Sequence, residues 1–223
     1  MIYFDKDFFQ FFKDLSQNNN RDWFMENKKR YENTVKVPFL NFLEALIDAL
    51  QEVEGSIPHT AKEAMMRINR DTRFSKDKTP YKDHLAAIIS SHGKRNMRYP
   101  GMYVQINQDG LSMYSGCYQL EKEDLLAVRT HIKDHLSEFN GLINEPTFIS
   151  TFGEIQGEKN KRLAPEFAAL IEEQPLIANK GFYFFKKYPS GSVIKDGLVD
   201  HLIKDYRVGF PLGQFLTEGI NNA

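Results

Sequence analysis

At 223 residues, with 41% hydrophobic and 26% charged side chains, the chain has enough apolar material for a buried core and lacks the composition of a disordered or fibrous protein. Its 29 basic and 30 acidic residues leave a formal charge of -1, which argues against a nucleic-acid grip spread over the whole surface, since such binding draws on counterions displaced by many cations. A lone cysteine, Cys117, excludes an intrachain disulfide framework and any multi-cysteine zinc or iron–sulfur centre, and fits a reducing, cytoplasmic setting.

In chain order, Asp5 is placed to cap a first helix carrying Phe8, Phe11, Phe12 and Leu15 at helical spacing, which the asparagines 18 to 20 break. A second helix is expected from Asn20 or Asp22, with Phe24, Asn27, Tyr31 and Val35 on one face, ending before Pro38. A third follows from about Pro38, with Phe39, Phe42, Leu43, Leu46, Leu50 and Val53 turned inward and Gly55 as its stop. From Ala64 the period shortens to that of strands: Ala64 to Asn69, Leu85 to Ser91, Met102 to Asn107 and Leu111 to Tyr118, the last two joined by Gln108-Asp109-Gly110, a strong hairpin signal. Helix returns with Leu125, Val128, Ile132 and Leu136, then in shorter pieces over 139–152 and 165–173. A late strand is predicted over 182–188, and a helical tail over 197–221 interrupted at Gly209 and Pro211. Helices, then strands, then helices predict an α+β fold. It would have an N-terminal helical layer packed on a mainly antiparallel sheet and further helices in the C-terminal half, in a single domain over 1–223. The opening M-I-Y-F-D-K-D-F-F has no basic-then-apolar signal, and no stretch reaches the ~20 apolar residues that span a bilayer, so neither secretion nor a membrane partner is expected.

The charge is uneven. Residues 67 to 82, R-I-N-R-D-T-R-F-S-K-D-K-T-P-Y-K, place six cationic side chains and two aspartates in sixteen positions of a near-neutral protein. Guanidinium forks match carboxylate and phosphate oxygens in pairs, and ammonium groups add less directional charge. Arg67, Arg70, Arg73, Lys76, Lys78 and Lys82 are therefore candidate contacts for an oxyanion such as the phosphate or carboxylate of a small metabolite, with Asn69, Tyr81 and Tyr103 to orient it. Two other readings stand beside this one. The loop could grip a nucleic-acid backbone while Phe74 or Tyr81 stacks on a base. Alternatively Asp71 and Asp77 could hold the arginines, making the run an internal staple.

The run N-R-D-T-R-F-S-K-D-K-T-P-Y-K at 69–82, with N-N-N-R-D-W-F-M-E-N-K-K-R-Y at 18–31 and Y-S-G-C-Y followed by L-L-A-V-R-T-H-I ending at residue 132, resembles the family called domain of unknown function 2461. The resemblance covers nearly the whole chain and implies one continuous domain; it brings no activity with it. The chain departs from the family pattern where Ser115 and Cys117 flank Gly116, and at N-K-G-F-Y-F-F-K-K-Y, 179–188, where a proline-lysine-glycine turn is more usual.

Other chemistry is sparse. His131 and His135 share a helix face at i, i+4, but neither H-E-x-x-H nor a cysteine accompanies them, so no metal is expected. His84 and His92 flank a predicted strand; Cys117 has no evident histidine; Trp23 belongs with the helical layer; and Tyr103, Gln105 and Asn107 share one face of the hairpin. Phosphate-loop, dinucleotide and serine-elbow motifs are absent from the sequence, no cofactor is expected, and whether a reaction follows binding stays open.

Overall fold

The computed structural model describes residues 1–222. The chain divides into two compact units: Met1–Ile89 with Tyr103–Met113 and Lys187–Ile203, and Ser90–Met102 with Tyr114–Lys186 and the chain from Lys204 onward.

In the first unit, α1 (Lys6–Gln17) starts where the Asp5 carboxylate accepts the Phe8 amide at 2.9 Å, and its Phe8, Phe11, Phe12 and Leu15 are all buried. The Asn20 side chain then caps α2 (Arg21–Glu26) by accepting the Trp23 amide at 3.0 Å. A turn of helix, α3 (Lys28–Arg30), widens into a π-helical stretch, Tyr31–Lys36, before α4 (Val37–Glu54). The break expected before Pro38 is thus a change of hydrogen-bond register, and proline is tolerated because the first turn of α4 has no call on its missing amide donor. Arg30 bridges Asp7 and Asp14, tying α3 to α1. Helix α4 buries Phe39, Phe42, Leu43, Leu46, Ile47 and Leu50 and ends at Gly55, whose φ of 80° suits a glycine. Rings interlock across this layer, Phe4 to Phe8 at 4.6 Å, Phe4 to Phe42 at 5.3 Å and Phe11 to Tyr31 at 5.7 Å between centroids. A short α5 (Ala61–Ala64), closed by a Thr60–Glu63 capping box, leads out of it.

The sheet is four-stranded and antiparallel, in the order β1 (His84–Ile89), β2 (Met102–Asn107), β3 (Gly110–Cys117), β4 (Phe182–Pro189). Both α4 and α5 pack on β1, so the helical layer lies against the sheet and the fold is α+β. Strand β2 alternates as expected, with Met102, Val104 and Ile106 buried and Tyr103, Gln105 and Asn107 half-buried.

In the second unit, α6 (Lys122–Asp134), α7 (Leu136–Ile143) and α8 (Pro146–Phe152) follow the predicted apolar stripes, while α9 (Pro165–Ala168) is a single turn where a longer helix was expected. A 3-10 turn, Pro175–Ala178, precedes β4. After β4 come α10 (Ser190–Val193), in the first unit, and α11 (Leu198–Asn221). The expected interruption of the tail does not occur: α11 runs through Gly209 and Pro211. A side chain at Gly209 would run into the Phe184 ring, so that glycine is a packing requirement. Pro211 withholds one amide at a cost of about 3 kcal/mol, which burial of Leu212, Phe215, Leu216 and Ile220 in the core of this unit outweighs at ~1.5–3 kcal/mol per side chain. Among the described residues no helix is long and apolar enough to cross a membrane.

Candidate functional site

Leaving α5, the chain makes an isolated antiparallel bridge between Met65 and Ala87 of β1, and the Met66 amide reaches the Ala86 carbonyl at 2.8 Å. It then changes partner. Asn69 pairs with Tyr81, the Arg70 amide donates to Pro80 at 2.9 Å and the Lys82 amide to Ile68 at 2.8 Å. That switch is why the strand expected over 64–69 appears only as isolated bridges, and why residues 67–82 form a hairpin with 71–79 at its tip.

The hairpin is anchored through Tyr81. Its ring is 7% exposed and stacked on Phe24 of α2, centroids 3.9 Å apart and planes 16° from parallel. The Asn19 side chain accepts the Tyr81 amide at 3.1 Å and donates to the Tyr81 carbonyl at 2.9 Å, completing a two-bond clasp. Of the three consecutive asparagines, Asn18 bonds back to Asp14 and Asn20 caps α2, while Asn19 reaches across to the hairpin. Tyr81 therefore anchors the hairpin, its ring packed into the core.

Within the tip the aspartates order the arginines. Arg70 pairs with Asp77 and with the Thr79 hydroxyl, and Asp77 also accepts the Thr79 amide and hydroxyl, each at 2.9 Å. Arg70 foremost, then the Thr79 donors, hold the Asp77 carboxyl down at about 2. Arg73 clasps Asp71 with two bonds, 3.0 and 2.7 Å, which lowers the Asp71 carboxyl and raises the guanidinium. Lys78 donates to the Thr72 carbonyl at 2.8 Å, leaving two of its three protons for other acceptors. Arg67 and Lys76 are exposed and form no ion pair among the described residues, though Arg67 lies near enough to Asp71 to help lower its carboxyl. Asn69 is exposed, Lys82 is half-buried, and Phe74 projects at 95% exposure with the Arg73 guanidinium 5.8 Å from its ring centroid. Tyr103 lies on β2, outside the hairpin, and its hydroxyl donates to Gln105 at 3.0 Å. Eight of the nine expected contacts thus belong to one hairpin, though Tyr81 serves to hold it.

The remaining candidates are structural in character. His84 bonds to Asp83 at 2.8 Å, His92 stacks on Tyr99 at 4.0 Å, and the half-buried Trp23 tilts over Phe11 at 5.7 Å. Cys117 is fully buried, and burial foremost pushes its thiol up, away from the reactive thiolate. His131 and His135 have ring centroids 4.5 Å apart, yet no group of three metal-binding side chains forms among the described residues. Buried His131 is held below its usual 6.5 by burial first and by His135, against the opposing pull of Glu218, Glu138 and Asp134. A histidine with a lowered folded value costs stability as pH falls below 6.5, because the unfolded chain then binds more protons. The melting temperature should therefore drop on acidification through that window, and His131→Leu should remove this part of the drop; parallel profiles for the two proteins would contradict the assignment.

An α+β protein carrying a basic hairpin clasped to its helical layer is the class these observations define. The chain matches the conserved hypothetical protein family, domain of unknown function 2461, over residues 7–215, and it belongs to that family. Searches of curated proteins and of solved structures give no match.

Proposed function

We propose that this protein is cytoplasmic and binds a phosphate- or carboxylate-bearing ligand at the 67–82 hairpin, through Arg67, Lys76 and Lys78, with Arg70, Arg73, Asn69 and Lys82 at the margins. The observation that carries this reading is a division of labour. Tyr81, Phe24 and Asn19 fix the hairpin, and Asp71 and Asp77 orient two arginines, while Lys76 stays exposed without a carboxylate partner among the described residues and exposed Arg67 feels Asp71 without forming an ion pair with it. Preordered cations lower the entropic cost of binding an anion. The 95% exposure of Phe74 favours a second reading, in which an extended nucleic-acid strand lies across the hairpin and stacks on that ring.

One titration separates the two. Inorganic phosphate, citrate and a single-stranded oligothymidylate are added to the intact protein while backbone resonances of 67–82 are followed at about 50 and about 200 mM salt. Small-anion binding predicts saturable shifts confined to the hairpin with weak salt dependence, and the Arg67→Glu/Lys76→Glu double variant should lose at least about tenfold in affinity, ~1.4 kcal/mol. Steep weakening of oligonucleotide binding with salt would favour the strand reading. Hairpin resonances that stay still with all three probes would defeat both.

A further inference from the structure

The second unit contains a buried cation with no counter-charge. Arg129, on α6, is 8% exposed and has no ion pair among the described residues. Its Nη2 donates to the carbonyls of Ala178 at 3.3 Å and Asn179 at 3.0 Å, just beyond the 3-10 turn, and its Nε–H has no partner there. Elsewhere in the same unit Arg98 pairs with Asp124 at 3.0 Å and Lys186 with Asp205 at 2.7 Å. Arg129 has no such carboxylate, and burial alone weakens its hold on its proton.

Asn179 sits beside it, 1% exposed, and both polar atoms of its carboxamide lack partners among the described residues. Its backbone is fully engaged, the amide donating to Leu176 at 2.9 Å, the residue bridging to Lys159 and the carbonyl receiving Arg129. The side chain is therefore not drawn inward by a missing backbone bond. It lies against the backbone at Gly157, where a Cβ would run into the Gly181 carbonyl oxygen and fall 2.8 Å from Asn179 Nδ2. Leaving a buried amide unsatisfied beside an uncompensated charge is strongly unfavourable, and an apolar side chain would avoid it.

Together the two side chains present one positive charge, N–H donors from Nε and Nδ2, and one acceptor, Oδ1. One water could satisfy the carboxamide but would leave the charge, and a dianion would overcompensate it. We propose that Arg129 and Asn179 form an internal site for a small monoanion that carries its own hydroxyl, the chemistry shared by hydrogencarbonate and dihydrogenphosphate. Its oxygens accept from Arg129 Nε and Asn179 Nδ2, and its hydroxyl donates to Asn179 Oδ1.

The test uses the whole protein in buffer with a bulky counter-anion, titrated separately with sodium hydrogencarbonate, sodium phosphate and, as an ionic-strength control, sodium chloride. A ligand bound only by the folded state raises the melting temperature saturably. Such a rise is expected with hydrogencarbonate or phosphate beyond that with chloride, and the two arms show which oxyanion fits. Arg129→Gln should abolish it. Should that variant fail to fold, Asn179→Asp decides: it sets a permanent carboxylate beside Arg129, so the protein should fold and no longer respond to added anion. The Arg67→Glu/Lys76→Glu variant should keep the full response, which separates this site from the hairpin. No saturable rise in the native protein, a rise that persists in Asn179→Asp, or one lost in the hairpin variant would each overturn the proposal.

Discussion

Replacing Gly110 by alanine is expected to lower stability by about 4 kcal/mol or more, a large share of the ~5–15 kcal/mol by which whole domains are stable. Two independent constraints meet at this residue. Its φ is 145°, which side chains rarely adopt, and it closes the Asp109-Gly110 turn between β2 and β3. A Cβ there would also run into the Tyr188 carbonyl oxygen and lie 2.8 Å from the Ser190 amide, both backbone atoms. That amide donates to the Asp109 carbonyl at 2.9 Å, so relieving the clash means parting the turn from the end of β4. Gly141→Ala is the control: Gly141 lies within α7, exposed, with nothing within 4 Å of an added Cβ. It should stabilise by about 0.5–1 kcal/mol through helix propensity. Urea denaturation of both variants checks the pair, and a Gly110→Ala protein within about 1 kcal/mol of the parent would refute the argument.

The contrast between these glycines shows what a sequence carries and what it does not. Gly110 was legible because its neighbours spell a turn. The Asp5 and Asn20 caps, the Gly55 stop and the alternation of β2 were legible for the same reason: cause and effect lie within a few residues. Gly209 and Pro211 misled because the local rule predicts a break, whereas the decisive contact is with Phe184, twenty-five positions earlier. The candidate site divides along the same line. Its charge density could be read directly, and so could the pairing of Asp71 with Arg73, two residues apart. The clasp of Asn19 on Tyr81 spans 62 positions and leaves no trace in periodicity. Arg129 was hidden still more completely, since on α6 it reads as one more solvated cation until its burial is known.

Tyr81→Ala is the second large effect expected. The ring is almost wholly buried against Phe24, and truncating a buried aromatic costs about 3–5 kcal/mol. It also removes the stacking that keeps the Tyr81 backbone within reach of Asn19, so Asn19→Ala should reproduce part of the loss, roughly 1–3 kcal/mol for two buried backbone groups left without partners. Arg73→Ala should differ in kind. Arg73 and Asp71 are both exposed, and an ion pair in water contributes little to stability. The ranking, measured by thermal melts of the three variants, bears directly on function. If the hairpin is held by Tyr81 and Asn19, its ion pairs are not needed to keep it folded, and their consequence is to fix where the guanidinium groups point. Arg73→Ala should then leave the melting temperature nearly unchanged while disturbing phosphate-induced shifts at the tip. If Arg73→Ala instead destabilises the protein as much as Tyr81→Ala, the charges are the staple, and the anion-binding reading of the hairpin loses its physical ground.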